Sequence, residues 1–399
     1  MEEKIIEHLN QVDLDMRKMS DARFLDQKCT PDVVCFIADC VMNYASDGKE
    51  FTVKDIWDTQ YFIRNTQAVF NKPIPTDKKA KSEYDKFIQQ PLRMLGYAQL
   101  LVVEKRGNTN IYKIKNEELL DYISRKERNT FVFLVCYINK LLKDSDLQKF
   151  FDEYKDRHLT GNVTKDDYSE LKERFQRYIH GNTKIQNIYE PKRIFPKILN
   201  VLAVQYQLYG SVDGYISKFI FTFSDLMYNR KNWRDLNKEK SITRQEAELQ
   251  DTDIVQQEAY NAYYVQKAIA LIRKIHSESE VHDQWGNGEA TQVHHIFPKS
   301  DFPQIAHYSE NLILLTATQH NTKAHPSNRT QQINRDYQLT CLLAKSDSIE
   351  NSLLRFGEKY YRKESFVYVI YVGLSTKIDI EISFADLKTI LIQIYNDAA

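Results

Sequence analysis

Residues 293–302 read VHHIFPKSDF, and residues 310–325 read ENLILLTATQHNTKAH. The segment Val293 to Phe297 is short, β-branched and aromatic, and Pro298 follows it directly, so the pattern predicts a β-strand that ends at the proline. Asn311 to Leu315 is a second short apolar run of the length of a buried strand. The two runs therefore predict a pair of strands joined by a polar loop.

The residues after the second run carry the signal of a helix start. Thr316 and Gln319 have the spacing of a capping box, in which a hydroxyl and an amide each bind the backbone N–H of the other residue. We expect the helix to begin near Ala317 and to continue to about Ala324. The predicted order is strand, loop, strand and helix.

Three of the histidines in this predicted unit, together with an asparagine, stand in an order that suits hydrolysis. Adjacent strand residues point to opposite faces, so His294 and His295 can give one imidazole to a metal ion and the other to a water molecule. His320 on the facing helix can complete the metal site. Asn311 can orient the basic imidazole through a hydrogen bond, or can pin the loop that carries it. Phosphodiester hydrolysis needs such a base together with stabilisation of phosphate and leaving-group charge.

The segment from residue 293 to residue 325 resembles the HNH, or ββα-metal, nuclease family. The family pattern is His-His or Asp-His, then an Asn before a short apolar strand, then a His or Asn on the helix. The resemblance implies a role for each matching residue: metal ligands His294 and His320, general base His295, orienting residue Asn311, and Lys323 facing a phosphate.

The resemblance also implies a divalent ion, Mg²⁺ or Mn²⁺, and imidazole ligands suit Co²⁺ and Ni²⁺ as well. Many family members carry cysteine pairs for a structural zinc. Thr316 and Gln319 occupy the positions where one such pair often stands, so we expect no structural zinc. His325 lies five residues beyond His320, off the α-helical face that carries the ligand, and we do not expect it to bind the metal.

Residues 1–125 predict a winged-helix-like DNA-binding domain. A helix begins at Pro31, a second follows Thr52, and a third covers Lys78 to Leu95. Two strands follow, Tyr97 to Val103 and Ile111 to Ile114, with a basic tip between them. Winged folds place a helix in the major groove and the hairpin on the backbone, although some serve instead as protein-interaction modules. The DNA-contact candidates are Lys78, Lys79, Lys81, Lys105 and Arg106.

The remainder of the chain predicts an α+β, multidomain protein. Residues 126–285 form a mainly helical linking or scaffold region, and residues 286–399 form the HNH catalytic domain with a C-terminal extension. In that extension, Phe366 to Val372 predicts a buried strand, and Ile378 to Phe384 predicts a second strand before a helix from Asp386. These elements would cover a unit too small to form its own core.

Composition limits the class of protein. Lys and Arg together number 55, as do Asp and Glu, so any basic DNA-binding surface must be local. Five cysteines without CxxC spacing predict buried free thiols in a reducing cytosol. The acidic N-terminus is unlike a signal peptide, and no apolar run is long enough for a membrane span. We therefore expect a cytoplasmic protein with no membrane partner, and the resemblance to restriction endonucleases described next implies a prokaryotic one.

The arrangement resembles HNH-type restriction endonucleases of prokaryotes, which implies cleavage of double-stranded DNA at a specific or modified site. Cutting two strands requires two active sites, so we expect a homodimer or DNA-induced pairing of two copies. A companion methyltransferase would protect the host DNA. Two alternatives remain: a nonspecific phage-defence nuclease, and a winged-helix DNA-binding regulator with an inactive nuclease domain. The presence of all four predicted site residues argues against the regulator.

Overall fold

The computed structural model describes residues 1–19, 24–70, 75–76, 81–228, 254–325 and 334–397. The chain divides into two compact units, Glu2–Thr252 and Asp253–Ala399. Helices predominate, and the described strands form three separate two-stranded antiparallel sheets. This arrangement confirms the α+β class, while the three-domain division and the HNH fold remain predictions.

The N-terminal unit is mainly helical over its described residues. Its first part contains α1 (Glu2–Asn10), α2 (Pro31–Ala45), α3 (Val53–Trp57), α4 (Gln60–Phe70), α5 (Lys81–Tyr97), β1 (Leu101–Arg106), β2 (Thr109–Ile114) and α6 (Glu117–Arg125). Its second part contains α7 (Glu127–Asp144), α8 (Gln148–Leu159), α9 (Lys165–Asn182), α10 (Tyr189–Tyr206), β3 (Tyr209–Val212) and β4 (Tyr215–Ile220).

The hairpin of β1 and β2 follows the α2–α5 helices, in the order predicted for a winged domain. Gly107 supplies the left-handed φ of 62° that its turn requires. Phe51 forms a backbone bridge with Tyr112, and their rings stack at 5.7 Å, so the segment between α2 and α3 is joined to the hairpin. The first strand begins at Leu101 and not at Tyr97, because α5 continues through Tyr97 and a left-handed Gln99 (φ 57°) ends it.

The C-terminal unit surrounds one buried strand pair with helices. Its elements are α11 (Ile254–Ile275), β5 (Ala290–His295), β6 (Leu312–Thr316), a π-helix (Gln319–Ala324), α12 (Arg335–Phe356), α13 (Lys363–Leu374) and α14 (Phe384–Asp397). The strands are antiparallel, with His294 opposite Ile313 and His295 opposite Leu312. All of β6 is buried, in one apolar core with residues of α11, α12, α13 and α14.

The two strands predicted in the C-terminal extension are wrong. The first lies inside helix α13, where Phe366 and Ile370 are buried while Tyr368 and Tyr371 are exposed. That spacing of three and four residues is helical, and a short apolar run alone cannot distinguish a strand from a buried helix. The second predicted strand is irregular up to Phe384, where α14 begins.

A buried ion pair fastens α12 to β6. The Glu280 carboxylate accepts a hydrogen bond from the Leu314 N–H at 2.9 Å, and the Glu280 N–H donates to the Leu314 carbonyl at 3.0 Å. Lys345 donates to Glu280 at 3.0 Å and to the Tyr361 hydroxyl at 2.7 Å. Both charged side chains are at most 1% exposed. The pair is therefore fully desolvated, and removing either charge would leave the other buried without a counter-charge.

All five cysteines are buried and free of disulfides, as predicted. The described residues contain no helix that is both long and apolar enough to cross a membrane.

We predict that Lys345→Met lowers the free energy of unfolding of the C-terminal unit by about 3–5 kcal/mol, because it leaves the Glu280 carboxylate buried without its counter-charge. Adding Glu280→Gln should recover part of this loss, since the neutral amide oxygen still accepts the Leu314 N–H. Urea unfolding followed by Trp285 fluorescence, with the other two tryptophans replaced by Phe, measures both effects.

The matched control is Lys388→Met, which removes a lysine that pairs with Asp347 while both side chains are partly exposed. We expect this control to change the free energy of unfolding by at most about 1 kcal/mol. Equal effects of the two lysine substitutions would show that the buried pair has no special weight.

Candidate metal centre and active site

The helix after β6 begins as predicted but continues with an unusual geometry. Gln319 N–H donates to Thr316 Oγ1 at 3.2 Å, and Thr316 N–H donates to Gln319 Oε1 at 3.0 Å, so the capping box is present. From Gln319 to Ala324 the helix is a π-helix, and His325 N–H donates to the His320 carbonyl at 3.2 Å. Such i to i+5 bonds bring residues five apart onto one face, and π turns are frequent at functional sites.

Three histidine rings meet beside this helix. One nitrogen each from His294, His320 and His325 lies within 4.8 Å of the other two. The ring centroids are 4.8–5.3 Å apart, and the ring planes are nearly perpendicular. His294 and His325 are buried, and His320 is partly exposed. Imidazole nitrogens this close together can bind a single metal ion.

The prediction that His325 lies off the face of His320 is wrong. It assumed an α-helix, in which residues five apart differ by roughly 140° around the axis. The π turn removes that difference, and His325 joins the cluster. The sequence signal was the presence of two histidines five residues apart, but nothing in the residues between them indicates π geometry.

The environment of His294 suits a metal ligand. Burial is the largest cause that lowers the pKa of His294, and the nearby His325 and His320 lower it further, to about 3. This imidazole is therefore neutral at pH 7. His320 Nδ1 lies 2.9 Å from Asn321 Oδ1. An amide oxygen only accepts hydrogen bonds, so His320 Nδ1 donates this bond and Nε2 is the ring nitrogen that could bind a metal ion. This donor set of imidazoles fits a transition-metal ion.

His295 follows His294 on β5 and has a different environment. Its Nε2 lies 3.0 Å from the carbonyl oxygen of Ala306. Because a carbonyl cannot donate, Nε2 carries the proton and Nδ1 is left as an acceptor. Burial lowers the pKa of His295, and the hydrogen bond to Ala306 opposes that shift. His295 is therefore neutral at pH 7 and able to accept a proton.

Asn311 is fully buried and binds the loop that leaves β5. Its Oδ1 accepts from Phe297 N–H at 2.9 Å, and its Nδ2 donates to the carbonyls of Phe297 at 3.0 Å and Ile305 at 3.3 Å. Ile305 precedes Ala306, the residue that orients His295. Of the two roles expected for Asn311, these bonds correspond to pinning the loop.

Lys323 lies on the π-helix, three residues after His320. Its Nζ is 4.4 Å from the centre of the Trp285 ring, a cation–π contact with a side chain that is 39% exposed. The phosphate-facing role of Lys323 remains a prediction.

The structure describes the side chains of only two of the five DNA-contact candidates in the N-terminal unit. Lys105 is exposed on β1. Arg106 binds the carboxylates of Glu50 at 2.8 Å and Glu104 at 2.7 Å, so a phosphate would have to replace these partners. Lys78 and Lys79 lie outside the described residues, and Lys81 begins α5 without a described side chain. DNA contact by these five residues remains a prediction.

No protein-family model, curated protein or solved structure matches the chain. The resemblance to HNH nucleases therefore rests on the residues between 293 and 325. The geometry of the histidine cluster is the independent observation that bears on function.

Without added metal, we predict that the C-terminal unit loses stability as the pH falls from about 6.5 towards 3. In this range unfolded His294 binds a proton and folded His294 does not, so acid favours the unfolded state. The expected slope is roughly 1 kcal/mol per pH unit for this group. Urea unfolding at pH 7, 6 and 5 measures the slope.

His295 and His276 also have pKa values lowered by burial, so they add to the total slope. The variant His294→Asn isolates the contribution of His294 and should unfold with a shallower pH dependence. An identical slope in this variant and the wild type would rule out the predicted linkage.

Proposed function

We propose that this chain is a metal-dependent DNA endonuclease whose C-terminal unit is an HNH-type catalytic domain. The observation that supports the proposal best is the cluster of His294, His320 and His325, together with His295, the next residue of the same strand, whose ring is oriented by the Ala306 carbonyl. Phosphodiester hydrolysis uses both a metal ion and a neutral, oriented base of this kind. Asn311, which the resemblance also singles out, holds the loop that orients the base.

The third histidine bears on the identity of the metal. Mg²⁺ prefers oxygen ligands in an octahedral arrangement, whereas imidazole suits zinc, nickel, copper and iron. A site of three imidazoles therefore favours a transition-metal ion such as Zn²⁺, Ni²⁺ or Co²⁺ over the Mg²⁺ expected from the resemblance, with Mn²⁺ intermediate. A bound ion would stabilise negative charge on the phosphate and on the leaving oxygen.

His295 acts as the general base in the proposed reaction. Its Nδ1 accepts a proton from a water molecule, which attacks phosphorus and expels the 3′ oxygen, leaving a 5′-phosphate end. The resulting imidazolium keeps its Nε2–H donated to the Ala306 carbonyl, which stabilises the positive charge and fixes the direction of the ring. The lowered pKa of His295 keeps the base unprotonated at neutral pH.

The restriction role and its partners belong to the same proposal. The substrate is double-stranded DNA, read by the winged-helix-like part of the N-terminal unit at a specific or modified sequence. A homodimer supplies one active site for each strand. A companion methyltransferase protects the host if the enzyme cuts unmodified DNA.

We predict that His325→Ala weakens binding of Co²⁺ or Zn²⁺ by more than about 100-fold, since losing a ligand should exceed the 10–100-fold cost of losing a residue that supports one. Competition with a chromophoric chelator measures the affinity. The control is His282→Ala, which removes an exposed histidine of the same unit outside the cluster. Wild-type affinity in His325→Ala would exclude His325 as a ligand.

We predict that His295→Ala lowers the rate of DNA cleavage by about 10²–10⁴, because general-base catalysis contributes a factor of this size. The metal affinity should be unchanged, since His295 is outside the three-histidine cluster. Plasmid linearisation with Mn²⁺, Co²⁺ or Zn²⁺ measures the rate. Full activity in His295→Ala would refute its role as the base.

The substrate range is tested by digesting methylated and unmethylated plasmid and phage DNA with the purified full chain. Discrete fragments, absent from the His295→Ala digest, would support a specific or modification-dependent restriction enzyme. A smear would support a nonspecific defence nuclease. DNA binding without cleavage under any metal would refute the nuclease proposal and favour a regulator.

A further inference from the structure

The side chain of Gln319 is fully buried, and its amide is saturated with hydrogen bonds. Oε1 accepts from Thr316 N–H at 3.0 Å and from the Ser279 hydroxyl at 2.6 Å. Nε2 donates to the Val281 carbonyl and to Asp283 Oδ1, both at 2.8 Å. An amide has two donor hydrogens and two acceptor lone pairs, so every one of its bonding positions is used.

These bonds connect the start of the π-helix to the segment 279–286, which lies more than thirty residues earlier in the sequence. Two further hydrogen bonds hold this segment in place around Gln319. The Thr316 hydroxyl donates to the Trp285 carbonyl at 3.0 Å, and Asp283 also accepts from the Tyr337 hydroxyl at 3.0 Å. A Cβ at Gly286 would lie 2.9 Å from the Val281 carbonyl, so only glycine fits without a shift of the backbone.

The π-helix is also held at its other end. Ala324 is buried, and its carbonyl accepts from Asn334 N–H at 3.1 Å. Since Gln319 and Ala324 are both fixed, the extra residue of the π turn cannot be removed by winding the segment into a regular α-helix. Releasing the anchor at Gln319 would allow that rewinding, and His325 would then turn away from His320.

We propose that Gln319 is a positioning residue of the metal centre, which holds the π turn so that His320 and His325 face His294. The inference rests on the proposed function only in requiring that the three histidines bind a metal ion. The role needs a neutral amide: a glutamate could not donate to the Val281 carbonyl and would set a second carboxylate against Asp283, and a methionine would make none of these bonds.

The test measures Co²⁺ binding by the full-length protein without DNA, through the visible absorption of the bound ion and its affinity against a chelator. We expect Gln319→Glu and Gln319→Met to weaken Co²⁺ binding by about 10–100-fold and to change the absorption spectrum, as loss of a residue that orients ligands does. Ser279→Ala, which removes only one of the bonds to Gln319, should produce a smaller change in the same direction.

The control for general destabilisation is Leu391→Ala. Leu391 is buried in the core of the same unit on α14, and its side chain has no polar atom to bond Gln319. This variant should be less stable and yet bind Co²⁺ with wild-type affinity and spectrum. If Leu391→Ala reproduced the spectrum of the Gln319 variants, Gln319 would affect the metal centre only through stability, and the proposal would be overturned.

A double-variant cycle tests whether Gln319 acts through His325. In a His325→Ala chain the third ligand is already gone, so adding Gln319→Met should lower Co²⁺ affinity by less than it does in the wild-type chain, because the effects of coupled positions do not add. A full, additive loss in that chain would contradict a positioning role.

The outcomes also separate this inference from the nuclease proposal. If the Gln319 variants shift Co²⁺ binding as expected but the wild type cuts no DNA, the positioning role stands and the nuclease proposal fails. If the wild type cuts DNA and every Gln319 variant binds Co²⁺ normally, the positioning role fails.

Discussion

The candidate site depends on one backbone hydrogen bond, from His325 N–H to the His320 carbonyl. With this i to i+5 bond, a two-histidine pattern becomes a three-histidine cluster; with an i to i+4 bond, one ring would leave it. A π turn is less favourable than a regular helix, so tertiary contacts must hold it. At the Gln319 end those contacts are side-chain hydrogen bonds, and at the Ala324 end they are burial of the residue and a hydrogen bond from Asn334 N–H. The surrounding unit therefore determines the geometry of the site.

The two neighbouring histidines of β5 have different environments, which suit the two roles proposed for them. His294 is buried beside the rings of His320 and His325, and desolvation keeps it neutral. His295 is partly exposed and is bound to a backbone carbonyl, which fixes its tautomer. The difference in environment follows from the alternation of side chains along a strand and not from any difference in residue type. Asn311 contributes to the environment of His295, since it binds the loop that supplies the Ala306 carbonyl.

Local signals in the sequence predicted much of this unit, and long-range contacts account for what they missed. The capping box at Thr316 and Gln319 is present where it was predicted, and a strand precedes Pro298. That strand spans Ala290–His295, so it begins earlier than the predicted Val293 and ends before Phe297. The π turn depends on residues 279–283, so the run from 316 to 325 carries no sign of it. The helix α13 was missed because an apolar run is compatible with both a strand and a buried helix until its partners are known.

The outer edge of β6 has a further consequence. The N–H of Leu312 donates to the Ser309 carbonyl, that of Leu314 to Glu280, and that of Thr316 to Gln319, so the outward donors of this strand are occupied. An unpaired strand edge can recruit an extended segment of another molecule and so start aggregation. In this unit the side chains of Glu280 and Gln319 and the turn at Ser309 occupy the edge. Self-association by strand addition is blocked there, and any pairing of two copies through the C-terminal unit has to use a different surface.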